Sequence, residues 1–352
     1  MTRFRIDLRS DIHTVPTGEM RRAMAAAEVG GDALAGEDSA VNDLEETCAA
    51  LFGKEAALFV SSGTMGNIVS LLTISSPGCA LIADSYTHIV SSEAAGFQRL
   101  AGCTPVLLET DGILTGADVL RCLTGQGLLG NPGVICVENT HGLRGGKAWG
   151  GGVTAGLAKV AREHRLRLHI DGARIFNAAV ATGETVADLT AGADTVQVCL
   201  SKGLGAPCGS LIVGARDTID RARRYRQMLG GGVHKAGVMA AAGLVALREM
   251  PSRIPDDHRR AKRLGDLLSE HEPLSLAYPV YTNIVDLVFD SDRLDGDKAV
   301  AWAAQGGVGI TGPWNSPKGK WIRLVTHFGI TDHDVEEAAR VVAEALRKST
   351  RQ

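Results

Sequence analysis

The sequence predicts an α/β protein in which a mostly parallel sheet is flanked by helices, followed by a smaller C-terminal α+β domain. Short apolar runs alternate with helical patterns over most of the 352-residue chain. Near-continuous apolar strands of this kind are typical of parallel sheets that are buried on both faces. Glycine, 43 residues in all, collects in doublets and triplets where one segment meets the next, and these positions mark the joints between elements.

The strands of the large sheet are predicted at Ala80–Asp84, Pro105–Glu109, Val134–Glu138, Arg167–Asp171, Thr195–Leu200 and Ser210–Val213. Helical patterns occur at Met65–Thr73, Leu157–His164, Thr218–Met228 and Ala236–Met250. The segment Pro251–Pro255 predicts a joint between a large domain, 1–250, and a small domain, 251–352, and segment 1–17 is expected to pack with the small domain. The small domain is expected to contain Asp256–Glu270 and Asp332–Arg347 as helices and Thr282–Phe289 and Ile322–Thr326 as strands.

The composition excludes several classes of protein. Lysine and arginine number 37 against 40 acidic residues, so the net charge is −3, and no basic cluster suggests nucleic-acid binding. Hydrophobic residues are 45% and charged residues 22%, which argues against a disordered chain. The seven cysteines include no CxxC pair, as is typical of reduced thiols. Because no apolar stretch is long enough for a membrane span or signal sequence, we expect a soluble cytoplasmic protein.

Two polar residues stand at the ends of successive apolar strands. Asp171 closes Arg167–Asp171, and Lys202 follows Thr195–Leu200 one βα unit later. Ligands of open α/β sheets bind beyond the carboxyl ends of the strands, so both residues are candidates for one site. A lysine among small residues can lose hydration, which lowers its pKa and makes its amine a nucleophile toward carbonyl groups. Each residue also has an ordinary alternative: Lys202 as a surface lysine, and Asp171 as a helix N-cap.

A third segment, Ser61–Asn67, follows an apolar run and precedes a helical pattern. Small residues with hydroxyl groups at a helix N-terminus present backbone N–H groups to an anion, although any Ser or Thr N-cap looks similar. An anion site, an aspartate and a lysine in this order form a more specific set. Together they predict pyridoxal 5'-phosphate (PLP), which forms a Schiff base with a lysine while an aspartate pairs with its ring nitrogen.

Ordered motifs along nearly the whole chain resemble the low-specificity L-threonine aldolases, within the aromatic-amino-acid β-eliminating lyase/threonine aldolase family of fold-type I PLP enzymes. The matching segments are Asp7–Asp11, Gly36–Asp38, Ser62–Asn67, Glu138–His141, Asp171–Arg174, Leu200–Pro207 and Arg323–His327. The resemblance implies a PLP-dependent aldolase that cleaves the Cα–Cβ bond of L-threonine, L-allo-threonine or related β-hydroxy-α-amino acids, releasing glycine and an aldehyde.

The resemblance also implies roles for single residues. Lys202 would carry the cofactor, Asp171 would pair with its ring nitrogen, and His88 would stack on the ring. A base, which is His88, His141 or a positioned water, would take the proton of the β-hydroxyl group. The remaining implied residues are Gly63 and Thr64 for the phosphate, and Ser10, Arg174 and Arg323 for the substrate carboxylate.

Several positions depart from the family pattern. Ala35 stands where tyrosine is usual, Gly142 where asparagine is common, and Ile12-His13 where Thr-Val is usual. By the family resemblance, His234 and Lys235 occupy the segment in which an arginine from a neighbouring subunit helps to hold the phosphate. One interpretation is neutral drift, with Lys235 supplying the phosphate charge. Our hypothesis is a changed or widened side-chain pocket, because alanine at position 35 removes the volume of a ring.

Two alternative functions stay open: a PLP enzyme that catalyses a different reaction, and a PLP-binding protein that catalyses none. A PLP-dependent transaldolase, β-eliminating lyase or racemase is the main alternative, and a non-catalytic PLP-binding protein is the other. The ten histidines show no HxH or HExxH spacing, so we expect no metal site. By the family resemblance we expect a homodimer or homotetramer with shared active sites, in which Gly230–Gly232 reaches the neighbouring site.

Overall fold

The structure is a computed structural model that describes residues 4–28, 30–31, 35–125, 133–271, 274–316 and 319–350. The chain divides into two compact units. The larger unit is Pro16–Pro251, and the smaller unit combines Met1–Val15 with Ser252–Gln352. Among the described residues, no helix has both the length and the apolar character that crossing a membrane requires.

Strands and helices alternate along the larger unit. The strands of the described chain are β1 (Ile6–Asp7), β2 (Ala56–Val60), β3 (Ala80–Asp84), β4 (Thr104–Leu108), β5 (Val134–Glu138), β6 (Arg167–Gly172), β7 (Thr195–Cys199), β8 (Ser210–Gly214), β9 (Leu274–Leu276), β10 (Ile284–Phe289), β11 (Val308–Gly309), β12 (Thr311–Ser316) and β13 (Gly319–Val325). The helices are α1 (Gly18–Ala26), α2 (Ser39–Leu51), α3 (Gly63–Ile74), α4 (His88–Ser91), α5 (Gly96–Arg99), α6 (Gly116–Gly125), α7 (Gly151–Glu163), α8 (Ile175–Thr182), α9 (Val186–Leu189), α10 (Arg216–Met228), α11 (Gly237–Glu249), α12 (Ile254–Ser269), α13 (Gly296–Gln305) and α14 (Asp332–Ser349).

The larger unit contains a seven-stranded sheet with the strand order β2-β8-β7-β6-β5-β3-β4. Strands β3 to β7 pair in parallel, whereas β8 is antiparallel to both of its neighbours. The reversal has a physical cause in the connection between β7 and β8. Residues 200–209 are fewer than the dozen or so that a crossover between parallel strands needs, so the chain can only turn back. The sheet is mostly parallel and flanked by helices, as predicted.

The bounds of the strands in the large sheet agree with prediction to within one residue. β3 and β5 occupy the predicted residues, and β4 begins one residue earlier than predicted. The prediction for α7 was wrong at its N-terminus, because the helix begins at Gly151 and not at Leu157. The sequence predicts a joint at these glycines, but Gly150 forms the N-cap and the helix starts with two glycines.

The smaller unit is an α+β arrangement. Four antiparallel strands have the order β12-β13-β10-β9, and β1 pairs in parallel with β11, with Ile6 opposite Val308. The apolar core of this unit includes Ile6, Leu8 and Leu264. Helix α14 begins with a capping box, in which Thr331 and Asp334 satisfy each other's backbone N–H groups.

Candidate active site

Three acidic residues lie at the carboxyl ends of neighbouring parallel strands in the larger unit. Asp84 ends β3, Glu138 ends β5, and Asp171 lies opposite Glu138 in β6. All three side chains are buried. Because parallel strands bring their carboxyl ends to the same edge, these acids and the loops that follow them form one polar site. Asp84 was missed by the sequence reasoning, although it carries the same signal as Glu138: an acid directly after an apolar run.

Asp171 is surrounded by N–H donors. Its Oδ1 accepts from the Ala173 backbone N–H at 3.1 Å and, with the Gln197 amide oriented for bonding, from the Gln197 side chain at 2.9 Å. Its Oδ2 accepts from Asn67 Nδ2 at 2.9 Å. This geometry suits a carboxylate, because a proton on either oxygen would face a donor. A buried carboxylate of this kind can pair with a cationic group on a ligand.

The N-terminus of α3 offers a place for an anion. Ser62 is the N-cap, and its Oγ accepts from the Met65 N–H, while the Gly66 N–H donates to the Ser62 carbonyl. The backbone N–H groups of Gly63 and Thr64 lie in the first turn, where no carbonyl of the helix precedes them by four residues. They therefore have no partner within the helix. Side chains are small here for a reason: a Cβ at position 66 would lie 2.8 Å from Gln197 Cγ.

His88 is held by two glutamates. Its Nδ1 lies 2.9 Å from Glu93 Oε1, and its backbone N–H donates to Glu138 Oε2 at 2.7 Å. The imidazole is 44% exposed, whereas the Glu93 side chain is 1% exposed. The hydrogen bond with Glu93 raises the pKa of His88, burial opposes this, and the nearby charges of Asp171 and Lys202 act in opposite directions. One imidazole nitrogen of His88 and one carboxylate oxygen from each of Glu93 and Asp171 lie within 4.8 Å of one another.

His141 is buried and paired with Asp84. Its Nε2 lies 3.2 Å from Asp84 Oδ1, and its side chain is 2% exposed. Burial acts to raise the pKa of Asp84, but hydrogen bonds from His141, Thr110 and the Tyr86 N–H outweigh it and lower the pKa to about 2. Asp84 is therefore ionised, and Nε2 carries the imidazole proton. The other nitrogen, Nδ1, has no hydrogen-bond partner among the described residues.

Lys202 and Arg174 follow the ends of β7 and β6. Lys202 is half-buried, and its carbonyl accepts from the Gly205 N–H at 2.9 Å in the turn after β7. Arg174 is the N-cap residue of α8 and is also half-buried. Its guanidinium lies beside Gly142, where a Cβ would be 3.6 Å from Nη1. Of the predicted site residues, those placed in the larger unit are Gly63, Thr64, His88, His141, Asp171, Arg174 and Lys202.

The other two predicted residues, Ser10 and Arg323, belong to the smaller unit. The Ser10 hydroxyl accepts from the Ile12 N–H at 3.3 Å at the start of a 3₁₀ turn. Arg323 makes two hydrogen bonds to the buried Asp286, from Nε at 2.7 Å and from Nη2 at 2.9 Å. Its guanidinium carbon also lies 4.6 Å from the centre of the Trp321 ring. Asp286 and the aromatic contact fix the plane of the guanidinium, and the sequence reasoning had found neither.

Comparison with known proteins agrees with this architecture. Low-specificity L-threonine aldolase 1 from Arabidopsis thaliana is 39% identical over 349 residues, which cover 97% of this chain and 96% of that protein. Low specificity L-threonine aldolase from Escherichia coli (strain K12) is 40% identical over 268 residues, 75% of this chain and 79% of that protein. A solved threonine aldolase from Leishmania major superposes with a TM-score of 0.82 at 19% identity, covering 97% of this chain and 99% of that one.

These matches and the site define a fold-type I enzyme of the lyase class, which confirms the predicted fold and enzyme class. The sequence profile described as β-eliminating lyase matches residues 7–291. The chain belongs to this β-eliminating lyase family, and the resemblance that its motifs indicated is confirmed.

Proposed function

We propose that this enzyme uses PLP to cleave L-threonine, L-allo-threonine or a related β-hydroxy-α-amino acid to glycine and an aldehyde. One observation carries the proposal: three groups lie at the carboxyl edge of the sheet, namely Asp171 near the end of β6, Lys202 after β7 and the start of α3 after β2. PLP has a ring nitrogen, an aldehyde and a phosphate, so each of these groups has a chemical counterpart. Its relatives, among them the Arabidopsis protein that aligns over 96% of its length, are named L-threonine aldolases, which supports the choice of substrate.

The donors and acceptors at this edge fit the cofactor. Asp171 would accept from a protonated ring nitrogen, and Lys202 would hold the cofactor as a Schiff base. The N–H groups of Gly63 and Thr64, at the positive end of the α3 dipole, would bind the phosphate. This division of roles makes the larger unit the cofactor-binding domain.

Proton movement is assigned to the histidines. When bound, PLP supplies an electron-accepting ring for the electron pair of the broken Cα–Cβ bond. Of His88 and His141, His88 is the more exposed, and its contact with Glu93 through Nδ1 leaves Nε2 as the atom that would take the β-hydroxyl proton. The hydrogen bond to Glu93 raises the pKa of His88, so the proton is retained more readily once it is taken. His141, which is buried and paired with Asp84, is assigned to orientation of the substrate.

Arg174 is assigned to the carboxylate of the substrate. A guanidinium meets a carboxylate with two parallel hydrogen bonds, so it fixes the rotation of the bound amino acid about Cα. That rotation would decide which bond to Cα is aligned for cleavage once the cofactor is bound. The roles that the resemblance implies for Ser10 and Arg323 in the same recognition stay predictions.

The test begins with the purified protein supplied with PLP. Borohydride reduction followed by peptide mapping should place the cofactor on Lys202, and Lys202→Ala should lose both the adduct and the activity. L-Threonine should yield glycine and acetaldehyde in equal amounts. 2-Oxobutanoate and ammonia in place of glycine and acetaldehyde would replace the proposal with β-elimination, and D-amino acid formation would replace it with racemisation. A protein with no trappable adduct on Lys202 would refute the proposal.

Ala35 is proposed to widen the substrate pocket. The residue is exposed in a turn that precedes α2, so the position tolerates a larger side chain. We expect phenylserine to be cleaved at least as well as threonine, and Ala35→Tyr to shift the preference toward threonine. A clear preference for threonine that Ala35→Tyr leaves unchanged would contradict the hypothesis.

We propose a cytoplasmic homodimer or homotetramer. The location is supported by the cysteines, because all seven are unpaired and six are buried. The shared site is supported by the exposure of His234 and Lys235, which follow a glycine segment packed beside α3: a Cβ at Gly231 would meet Met65 Sδ. Light scattering should give a dimer or tetramer, and Lys235→Ala should weaken PLP binding. A PLP-binding monomer would contradict this proposal.

A further inference from the structure

One buried amide joins two acids that the proposed function assigns to different tasks. Asn67, 1% exposed in α3, donates from Nδ2 to Asp171 Oδ2 at 2.9 Å and to Glu93 Oε1 at 2.8 Å. Glu93 Oε1 also contacts His88 Nδ1 at 2.9 Å. The carboxylate meant for the ring nitrogen and the carboxylate behind His88 thus share one NH₂ group.

The orientation of this amide is determined by its neighbours. Only the NH₂ side can face two carboxylates, so Asn67 Oδ1 must face His169 Nε2, which lies 3.0 Å away. His169 Nε2 therefore carries the proton, and Nδ1 accepts from Thr195 Oγ1 at 2.9 Å. Burial lowers the pKa of His169 to about 4, so the imidazole is neutral and fits this assignment. Each link donates in the same direction, from Thr195 toward Asp171.

A purely structural role would not require such a chain. Asparagine is a weaker helix former than leucine or methionine, which would also fill a buried position of similar size. Two buried acids close to each other normally repel, and one of them takes up a proton. A shared NH₂ group opposes this, because hydrogen bonds to a carboxylate favour its charged form.

We propose that Asn67 is a positioning residue that keeps Asp171 and Glu93 charged together and thereby couples the protonation of the cofactor ring nitrogen to that of His88. The inference rests on the proposed function and deepens it. Without Asn67, the carboxylate of Asp171 becomes more basic and draws the shared proton away from the ring nitrogen. The ring then accepts electrons less readily. Asn67 exerts this effect through Asp171 and not through contact with the substrate.

The experiment uses the full-length protein reconstituted with PLP that is ¹⁵N-labelled at the ring nitrogen. Asn67→Leu keeps the branching at Cγ and the number of side-chain heavy atoms but removes the donor. In this variant the ¹⁵N chemical shift of the ring nitrogen should move toward that of an unprotonated pyridine, and PLP binding should weaken roughly tenfold or more. In a double-mutant cycle, His88→Gln should change the ring shift in the wild-type background and leave it unchanged in the Asn67→Leu background.

A matched pair of variants at Thr195, the first donor of this chain of hydrogen bonds, covers the case in which Asn67→Leu does not fold. Thr195→Val removes the hydroxyl donor to His169, and Thr195→Ser keeps it. The valine variant should move the ring shift in the same direction as Asn67→Leu, and the serine variant should match the wild type. Equal shifts in the two Thr195 variants, or an unchanged shift in a folded Asn67→Leu protein, would overturn the inference. If wild-type protein forms no adduct on Lys202, the proposed function itself fails, which is a separate result.

Discussion

Replacing Asp84 by asparagine would test the most strongly hydrogen-bonded acid of the site. Oδ1 accepts from His141 Nε2 at 3.2 Å and from the Tyr86 N–H at 2.8 Å. Oδ2 accepts from the Thr110 N–H at 2.8 Å and from its hydroxyl group at 2.7 Å. Asparagine keeps only one acceptor oxygen, and its NH₂ group would face two donors, so the substitution disrupts the pair whichever way the amide turns.

The size of the effect follows from the pKa of Asp84. A value of about 2 in the folded protein, against an ordinary 3.8, corresponds to about 2 kcal/mol of stabilisation. Because the folded-state pKa is lowered, this contribution is complete above about pH 4 and is lost as the pH falls through about 2. Asp84→Asn should therefore lower the free energy of unfolding by at least about 2 kcal/mol at pH 7, and by about half as much at pH 3.

Urea denaturation at pH 7 and pH 3 measures this loss, and cleavage of L-threonine measures the catalytic effect. His141, which is assigned to orientation of the substrate, is no longer held in one position in the variant, so kcat/KM should fall roughly a hundredfold. Asp118→Asn is the matched control, because Asp118 likewise accepts from the N–H and hydroxyl of one threonine, at 2.8 and 2.5 Å, but lies in α6. Its kcat/KM should stay at the wild-type value. An Asp84→Asn enzyme with wild-type stability at pH 7 would refute the reasoning.

Three further substitutions have defined outcomes. Glu93→Gln should lower the pKa of His88, because the hydrogen bond to Glu93 raises it, and NMR titration of the imidazole measures the change. Asp257→Asn should raise the free energy of unfolding by about 2–4 kcal/mol at pH 8 and leave it unchanged near pH 4, since burial raises the pKa of Asp257 to about 7 and its ionisation weakens the fold as the pH rises. Gly66→Ala should cost about 1–3 kcal/mol, because its Cβ would lie 2.8 Å from Gln197 Cγ.

Each of these predictions has a clear contrary result. An unchanged His88 titration would show that Glu93 does not influence the imidazole. Asp257→Asn with the pH profile of the wild type would mean that the carboxyl group ionises freely. Gly156→Ala is the control for Gly66→Ala, because a Cβ at position 156 of α7 would meet no atom within 4 Å. It should stabilise the protein by up to about 1 kcal/mol, and equal effects of the two alanines would contradict the packing argument.

Much of the fold could be predicted because its strands have a recognisable local pattern in the sequence. The apolar runs Ala80–Asp84 and Val134–Glu138 each end in an acid, and both are strands over those residues. The direction of β8 could not be predicted from its own residues, because it depends on the length of the connection from β7. The start of α7 was hidden by glycines, which disfavour helices in general but are tolerated in a first turn.

Candidate site residues that follow strands could likewise be predicted from their position. Asp171 and Lys202 stand where open α/β sheets bind ligands, so the sequence alone suggested them. Their supporting partners could not be found in this way. Asn67 meets Asp171 across 104 positions of sequence, and Arg323 meets Asp286 across 37. Such contacts depend on how helices and strands pack, and no local pattern records which buried polar side chains will face each other.

The discontinuous smaller unit has a consequence for synthesis. Ile6 in β1 pairs with Val308 in β11, although the larger unit occupies the continuous stretch Pro16–Pro251. On the ribosome, the first strand must wait for a partner that emerges about 300 residues later, roughly 15 to 60 s at about 5–20 residues per second. The apolar Ile6 of this strand, and Leu8 directly after it, lack their core partners during that interval, while the larger unit can already fold. Chaperones that shield exposed apolar segments of nascent chains would therefore have this short segment to cover.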